Sequence, residues 1–222
     1  MLRAGIFDID GLLIDSEPFW RQAHVKAVAS NGGKITEDDV RAMAGRRTDE
    51  VVNHWRENHG VAHVPPEKLE KAVVEQVKAN IRKHGKALPG AYKLLKMFQD
   101  NKIPVALASS SAQDIIDAVV ETLEFAPFIQ FSRSAKAEKQ GKPHPDLFLN
   151  TAKLLESDPA DCVVFEDALS GITAAKAAGM KCITVPEAVN IEKPEFHELA
   201  DMVKPSLEDV TWRDVISLWS EK

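Results

Sequence analysis

The residues best suited to chemistry are an aspartate pair near the start of the sequence, Asp8 and Asp10, in the segment Phe-Asp-Ile-Asp-Gly. The segment follows an apolar run typical of a buried strand, and residues i and i+2 of a strand point to the same side. We therefore expect both carboxylates at the end of that strand, with Gly11 allowing the chain to turn. Like charges this close are costly unless a cation joins them or one carboxyl is protonated. The pair predicts a cation site or a reactive carboxylate.

A run of serines, Ser109, Ser110 and Ser111, ends a second apolar segment and leads directly into a helical pattern. Free N–H groups and the helix dipole at such a start bind phosphate, although the same serines could simply cap the helix. Lys142, in the stiff turn Gly-Lys-Pro-His-Pro, supplies a compact cation suited to a phosphate or a carboxylate. These residues predict an anion site.

Two more acids, Glu166 and Asp167, close a third apolar run. Doubly wound sheets bind ligands at the carboxyl ends of their strands, so we expect these acids at the same edge as the aspartate pair. Acid oxygens from two strand ends suit an octahedral Mg²⁺ that keeps several waters. A metal beside an anion site indicates phosphoryl chemistry, in which a carboxylate can be the covalent nucleophile.

Strand and helix patterns alternate along most of the chain. Apolar runs predict strands at 3–9, 103–109, 161–166 and 181–185, with weaker ones at 128–132 and 201–204. Helical periodicity covers 90–101, 112–124, 145–155 and 168–178. Strands and helices in this alternation predict an α/β fold, a Rossmann-like, doubly wound parallel sheet.

One stretch departs from this alternation, because no strand pattern is found between about 17 and 85. Helical patterns fill it instead, at 19–30, 37–43, 48–58 and 66–83. The stretch is too long for a single crossover helix. We therefore predict a catalytic core of residues 1–16 and 87–222, into which an all-helical cap of residues 17–86 is inserted.

Composition narrows the class of protein. The chain has 222 residues, 44% of them hydrophobic and 28% charged, which excludes a disordered chain. Apolar runs are too short for a membrane span, the start does not resemble a secretory signal, and a net charge of −6 argues against nucleic acid as the main partner. We expect a cytoplasmic monomer with no membrane partner, in which Cys162 and Cys182 are free core thiols.

With these motifs, the sequence resembles the haloacid dehalogenase-like hydrolase superfamily. Four motifs match in order, namely Asp8-Ile9-Asp10-Gly11, Ser109, Lys142 with the following proline, and Glu166-Asp167. The resemblance spans essentially the whole chain, including the helical insertion. It implies a Rossmann-like core and a cap placed directly after the first strand.

The resemblance also implies roles for the acids. Asp8 would be the nucleophile that forms an aspartyl-phosphate, and Asp10 would be the general acid for the leaving alcohol and then the base for water. Mg²⁺ would bind the Asp8 carboxylate, the Asp10 backbone carbonyl and Asp167, with Glu166 near its outer shell.

The remaining motif residues would hold the phosphoryl group. Ser109 and the backbone N–H of Ser110 would bind its oxygens, and Lys142 would offset the charge between phosphate and Asp8. Fixed donors and cations of this kind supply most of the catalysis in phosphoryl transfer. Together these roles imply a Mg²⁺-dependent phosphatase of small phosphorylated metabolites.

The start of the cap narrows the resemblance further. The segment Asp-Ser-Glu-Pro-Phe-Trp at 15–20 is similar to that of bacterial sugar-phosphate phosphatases of the 2-deoxyglucose-6-phosphate and hexitol-phosphate type. The β-phosphoglucomutases are the nearest rival and carry a protective histidine where this chain has Trp20, which favours hydrolysis here. His24 lies one helical turn further on, and both side chains could instead only pack the helix.

Substrate residues are also expected in the cap. The segment Gly45-Arg46-Arg47 matches the loop that these relatives lower onto the substrate, and arginine suits phosphate or sugar hydroxyls, although a solvated basic turn would look the same. Trp20 is expected to contact the substrate as well. Besides a phosphatase, we keep a phosphosugar mutase and, from another class, a phospho-acceptor signalling module as alternatives.

Overall fold

The computed structural model describes residues 1–43 and 45–220, and its centre is a parallel sheet. Six strands lie in the order β3-β2-β1-β4-β5-β6, and every neighbouring pair is parallel. The strands are β1 Ala4–Phe7, β2 Val105–Ser109, β3 Phe131–Ser134, β4 Cys162–Glu166, β5 Lys181–Thr184 and β6 Met202–Val203. The strand order reverses between β1 and β4, which is where doubly wound sheets bind ligands.

Helices connect the strands and form the part outside the sheet. The described residues contain α1 Glu17–Ala29, α2 Glu37–Arg41, α3 Thr48–Asn58, α4 Pro66–His84, α5 Ala91–Asp100, α6 Gln113–Thr122, α7 Asp146–Leu154, α8 Leu169–Ala177, α9 Pro194–Leu199 and α10 Trp212–Ser217. None of them is long and apolar enough to cross a membrane, within the part of the chain that the structure describes.

Both faces of the sheet are buried. Alternate residues of each inner strand belong to different apolar clusters, as Ile6 and Phe7 do in β1. On one face the ring of Phe7 stacks on that of Phe165 at 4.5 Å, and Phe98 of α5 meets Phe7 edge-on at 5.3 Å. This two-sided burial explains why the strands read as nearly continuous apolar runs. The α/β, Rossmann-like class is confirmed.

The helices α1 to α4 follow β1 and form the helical cap, in which α1 and α3 pack on α4. The chain leaves and re-enters the core at one place, where Ile14 forms an antiparallel bridge with Ala87. Leu88 also donates a backbone hydrogen bond to Leu13. The helical insertion is therefore where the sequence predicts it, while the division at residues 17 and 86 stays a prediction.

Several details differ from the sequence-based expectations. β1 ends at Phe7, so the aspartate pair follows the strand and does not lie within it. β3 begins at Phe131, three positions later than the predicted run at 128–132. The helices α9 and α10 were not predicted, because six residues are too few to show a helical period.

The cysteines are as predicted. Cys162 and Cys182 are free and buried, one in β4 and one in β5. Burial raises the pKa of the Cys162 thiol to about 12, so this thiol is protonated and unreactive at neutral pH.

Candidate active site

A buried lysine between two buried carboxylates lies at the centre of the site. Lys142 Nζ is 2.6 Å from Asp8 Oδ1 and also donates a hydrogen bond to Glu166 Oε1. Asp8 follows β1, Glu166 ends β4, and the two strands are neighbours, so the sheet itself brings the acids together. All three residues are at most 6% exposed. Charges this well buried are stable only when they are paired.

The acids outnumber the buried cation. Oxygens of Asp8, Glu166 and Asp167 lie within 4.8 Å of one another. Burial raises the pKa of Asp8 to about 8 although Lys142 opposes this, and burial with the charge of Glu166 raises the pKa of Asp167 well above its usual range. Burial would lower the pKa of Lys142, but Asp8 and Glu166 raise it above its ordinary value. An all-oxygen donor set that lacks positive charge fits Mg²⁺.

Two glycines leave room for these carboxylates. A Cβ on Gly11 would overlap the Asp167 carboxylate, and a Cβ on Gly171 would overlap that of Glu166. Gly11 also has a φ of +77°, which L residues with a side chain rarely adopt. Glu166 is further fixed by the backbone N–H groups of Asp167 and Ala168, which donate to its Oε2 at 3.0 and 3.2 Å.

Asp10 is oriented differently from Asp8. Its Oδ1 accepts hydrogen bonds from Ser16 Oγ at 2.6 Å and Trp20 Nε1 at 2.8 Å, and its Oδ2 accepts from Ser111 Oγ at 2.6 Å. The Asp10 carboxylate is not part of the acidic cluster in the described chain. The two carboxylates nevertheless line one cavity, although β1 ends at Phe7 and the pair follows the strand. The predicted contact of the Asp10 backbone carbonyl with a metal stays a prediction.

The serines at the end of β2 face the site and do not cap α6. The N-cap of α6 is Ala112, which makes no side-chain cap, so the capping alternative is wrong. Ser109 Oγ donates to Asp10 Oδ2 at 3.3 Å and accepts from the backbone N–H of Ser111 at 3.0 Å. The structure therefore brings Ser109 and Ser110 to one cavity with Asp8, Asp10 and Lys142.

On the cap side, Trp20 and His24 of α1 line this cavity, and Trp55 of α3 contacts His24. The Trp20 ring lies on that of His24 with a centroid distance of 5.9 Å, and Trp55 Nε1 donates to His24 Nδ1 at 3.1 Å. Burial lowers the pKa of His24 to about 4. Trp55 was not predicted as a site residue, although its position four residues after Val51 on the buried face of α3 was a usable signal.

The cap loop reaches the core through Gly45. Ser110 Oγ donates to the Gly45 carbonyl at 2.8 Å, and a Cβ on Gly45 would lie 2.5 Å from Ser170 Oγ. Arg46 lines the cavity, as predicted for a substrate residue. Arg47 differs, since it is not among the described residues that line this cavity.

Arg47 instead joins the cap to the core. Its guanidinium pairs with Asp49 at 2.6 Å and donates to the backbone carbonyl of Glu138 at 3.2 Å. These contacts use three of the five N–H groups of the guanidinium, so Arg47 is a cap–core contact in this structure, and its predicted contact with the substrate stays a prediction.

Comparison with known proteins agrees with this geometry. Residues 5–185 match the family model described as "Haloacid dehalogenase-like hydrolase". The chain belongs to the haloacid dehalogenase-like hydrolase family. The family expected from the four motifs is thereby confirmed, and this hydrolase is an enzyme, as the sequence predicts.

The relatives of this hydrolase include named phosphatases. It is 32% identical over 214 residues to hexitol phosphatase B of Escherichia coli K12, covering 96% of both chains. It is 27% identical over 215 residues to validoxylamine A 7'-phosphate phosphatase of Streptomyces hygroscopicus subsp. limoneus, covering 96% of this chain and 97% of the relative.

Among solved structures, this hydrolase is similar to a β-phosphoglucomutase from Clostridium difficile. The TM-score is 0.84 at 24% identity, with coverage of 98% of this chain and 96% of the other. At that identity the likeness concerns the fold, which includes the same combination of sheet core and helical cap.

Proposed function

We propose that this hydrolase is a Mg²⁺-dependent phosphatase that cleaves small phosphorylated metabolites, sugar or polyol phosphates, through an aspartyl-phosphate. The observation that supports this proposal most directly is the buried Asp8–Lys142 pair at 2.6 Å, with Asp10 and hydroxyl donors around the same cavity. The resemblance to hexitol phosphatase B supports the substrate class. The proposal divides the chain into the core 1–16 and 87–222 and the cap 17–86, and assigns it to the cytoplasm as a monomer.

In the first half of the proposed reaction, an Asp8 carboxylate oxygen forms a bond to phosphorus as the bond from phosphorus to the ester oxygen breaks. Asp10 gives a proton to the departing alcohol oxygen. Lys142 stays beside Asp8 and balances the negative charge of the phosphoryl group. Ser109 and the Ser110 backbone N–H hold phosphoryl oxygens, which stabilises the charge that spreads over them.

In the second half, Asp10 takes a proton from a water molecule that attacks phosphorus. The bond between phosphorus and the Asp8 oxygen then breaks, which releases inorganic phosphate and restores the Asp8 carboxylate. Four hydrogen bonds to the Asp10 carboxylate, from Ser16, Trp20, Ser109 and Ser111, fix it beside the cavity for both proton transfers.

Asp8, Asp167 and the Asp10 backbone carbonyl would hold the Mg²⁺, with Glu166 near its outer shell, as the resemblance implies. The ion, when bound, supplies positive charge that neutralises the phosphoryl oxygens. Trp20 and Arg46 are proposed to contact the rest of the substrate, because both line the cavity from the cap side.

A screen of phosphorylated sugars, polyols and nucleotides with Mg²⁺ and with EDTA tests this function. We expect phosphate release from some polyol or sugar phosphates with Mg²⁺ only. Isomer formation without net phosphate release, dependent on an activating bisphosphate, would instead show a mutase. A stable aspartyl-phosphate without turnover would show a signalling module, and no phosphate release from any compound would contradict the proposal.

A further inference from the structure

His24 is a buried residue of α1 for which the proposed reaction has no use. It is 3% exposed, yet it lines the cavity that also holds Asp8 and Asp10. Its ring lies on the Trp20 ring, and Trp20 Nε1 contacts Asp10 Oδ1 at 2.8 Å. His24 therefore lies one side chain beyond the proposed general acid, on the cap side of the same cavity.

One hydrogen bond fixes the proton of the His24 ring. The indole N–H of Trp55 is only a donor, so His24 Nδ1, at 3.1 Å, must accept. The neutral ring then carries its hydrogen on Nε2. Burial lowers the pKa of His24 to about 4, so the ring is uncharged at neutral pH. Among residues 1–43 and 45–220, no group pairs with Nε2.

Apolar side chains surround this donor. Val40, Met43 and Val51 line the same cavity from the cap side and offer no acceptor for Nε2–H. Nε2 is not among the fully enclosed side-chain atoms that lack a partner, so it is open to the cavity, where a ligand oxygen can accept its hydrogen bond in a poorly hydrated setting. The cavity thus presents one oriented, neutral donor next to apolar side chains.

We propose that His24 Nε2–H donates a hydrogen bond to an uncharged oxygen, a hydroxyl or carbonyl, on the carbon chain of the leaving alcohol. Trp55 is the positioning residue that fixes the tautomer. The inference rests on the proposed phosphatase function and sharpens it. His24 favours polyol or sugar phosphates because these substrates carry an oxygen on their carbon chain. Because the ring is neutral, it does not favour substrates that carry a second phosphate group.

The test removes each partner of this hydrogen bond in turn. Wild type and His24→Phe, which keeps an aromatic ring but has no N–H, are assayed for kcat/KM with Mg²⁺. The substrates are a hexitol 6-phosphate, a hexose 6-phosphate, their monodeoxy analogues and phenyl phosphate. Phenyl phosphate has no oxygen beyond the phosphate ester, so it reports on the reacting groups alone.

We expect wild type to prefer a hydroxylated substrate over one deoxy analogue by about 10- to 100-fold, because a site built around a hydrogen bond rejects the analogue that lacks it. His24→Phe should bring this ratio close to one and leave phenyl phosphate within about threefold of wild type. An unchanged ratio would overturn the inference, and so would an equal loss on every substrate. If wild type hydrolyses none of them, the proposed function itself fails.

Two further variants keep the test decisive if His24→Phe does not fold. His24→Gln retains an amide that can accept from Trp55 and donate to the substrate, so it should preserve a larger part of the ratio. Trp55→Phe removes the donor to Nδ1 together with part of a buried ring, and it should lower the ratio by raising KM on hydroxylated substrates with little change in kcat. Loss of the ratio in His24→Gln equal to that in His24→Phe would count against the hydrogen bond.

Discussion

The core side and the cap side of the active site hold their residues by different forces. On the core side, Lys142 is enclosed by Asp8 and Glu166, and glycines leave room for the carboxylates. On the cap side, Trp20, His24 and Trp55 meet through ring contacts and one hydrogen bond between neutral groups. A phosphoryl group needs fixed charge, whereas the rest of a substrate is selected by shape and single donors. The difference indicates that the chemistry and the selectivity can change independently.

Asp8→Asn should break the core side completely. The amide keeps the shape of the side chain but is no nucleophile, so we expect phosphate release to fall by at least about 10⁴-fold. Asp15→Asn, at an exposed acid close by, is the matched control and should stay within about threefold of wild type. Release at the wild-type rate from Asp8→Asn would exclude Asp8 as the nucleophile.

The next prediction concerns the proposed cation site, which belongs to the core side alone. A 100-fold excess of Mg²⁺ over its Kd should stabilise wild type by about 2.7 kcal/mol in thermal unfolding, because only the folded chain assembles the acids. Asp167→Asn should lose most of this gain. Ser109→Ala should keep the gain while losing activity, and an equal gain in Asp167→Asn and wild type would contradict the assignment.

The cap side should respond to acid through His24. The folded ring stays neutral down to about pH 4, while the unfolded ring binds a proton near pH 6.5. The unfolded state therefore gains the proton first, and the free energy of unfolding should fall by about 3 kcal/mol as the pH drops from 6.5 to 4. Urea unfolding at several pH values measures this contribution as the difference in slope between wild type and a variant without the imidazole, because the raised pKa of Asp8 contributes a slope of opposite sign.

Two variants isolate the contribution of His24. In His24→Gln the side chain does not titrate, so this part of the slope should disappear. The exposed His63 provides the control, because His63→Gln should leave the slope unchanged. Equal slopes in wild type and His24→Gln would show that His24 is not held neutral.

The smallest effect is expected where the two sides touch. In Gly45→Ala the new methyl group would approach Ser170 Oγ at 2.5 Å, and the φ of +79° disfavours alanine. Closure of the cap should cost about 1 kcal/mol, seen as a severalfold rise in KM. Adding Ser170→Ala to this variant should restore part of the lost closure energy and lower KM again. Gly45→Ala with wild-type KM would show that this contact does not set closure.

The core side of the site could be predicted from sequence because local patterns place it. An apolar run fixes each strand, parallel pairing fixes the shared edge, and the acids and serines follow directly. The orientation of Asp10 could not be predicted, because it depends on where β1 ends and on the donors Ser16 and Trp20.

The cap side of the site was harder to predict from the sequence. The contact between His24 and Trp55 joins α1 to α3, and no periodicity within either helix specifies how they cross. The helices are each recognisable by their buried stripes, but Arg47 shows the limit of a local motif. Its side chain binds Asp49 and the core instead of lining the cavity.

The bridge between Ile14 and Ala87 has a consequence for how such enzymes diversify. Both covalent connections of the insertion pass through one seam, where Leu88 donates to Leu13 at 3.0 Å. The whole helical insertion between these residues could be exchanged as a single segment, by recombination or by grafting, while the distance between the flanking residues stays the same. One hydrolytic core could then accept new compounds through the replacement of one contiguous gene segment.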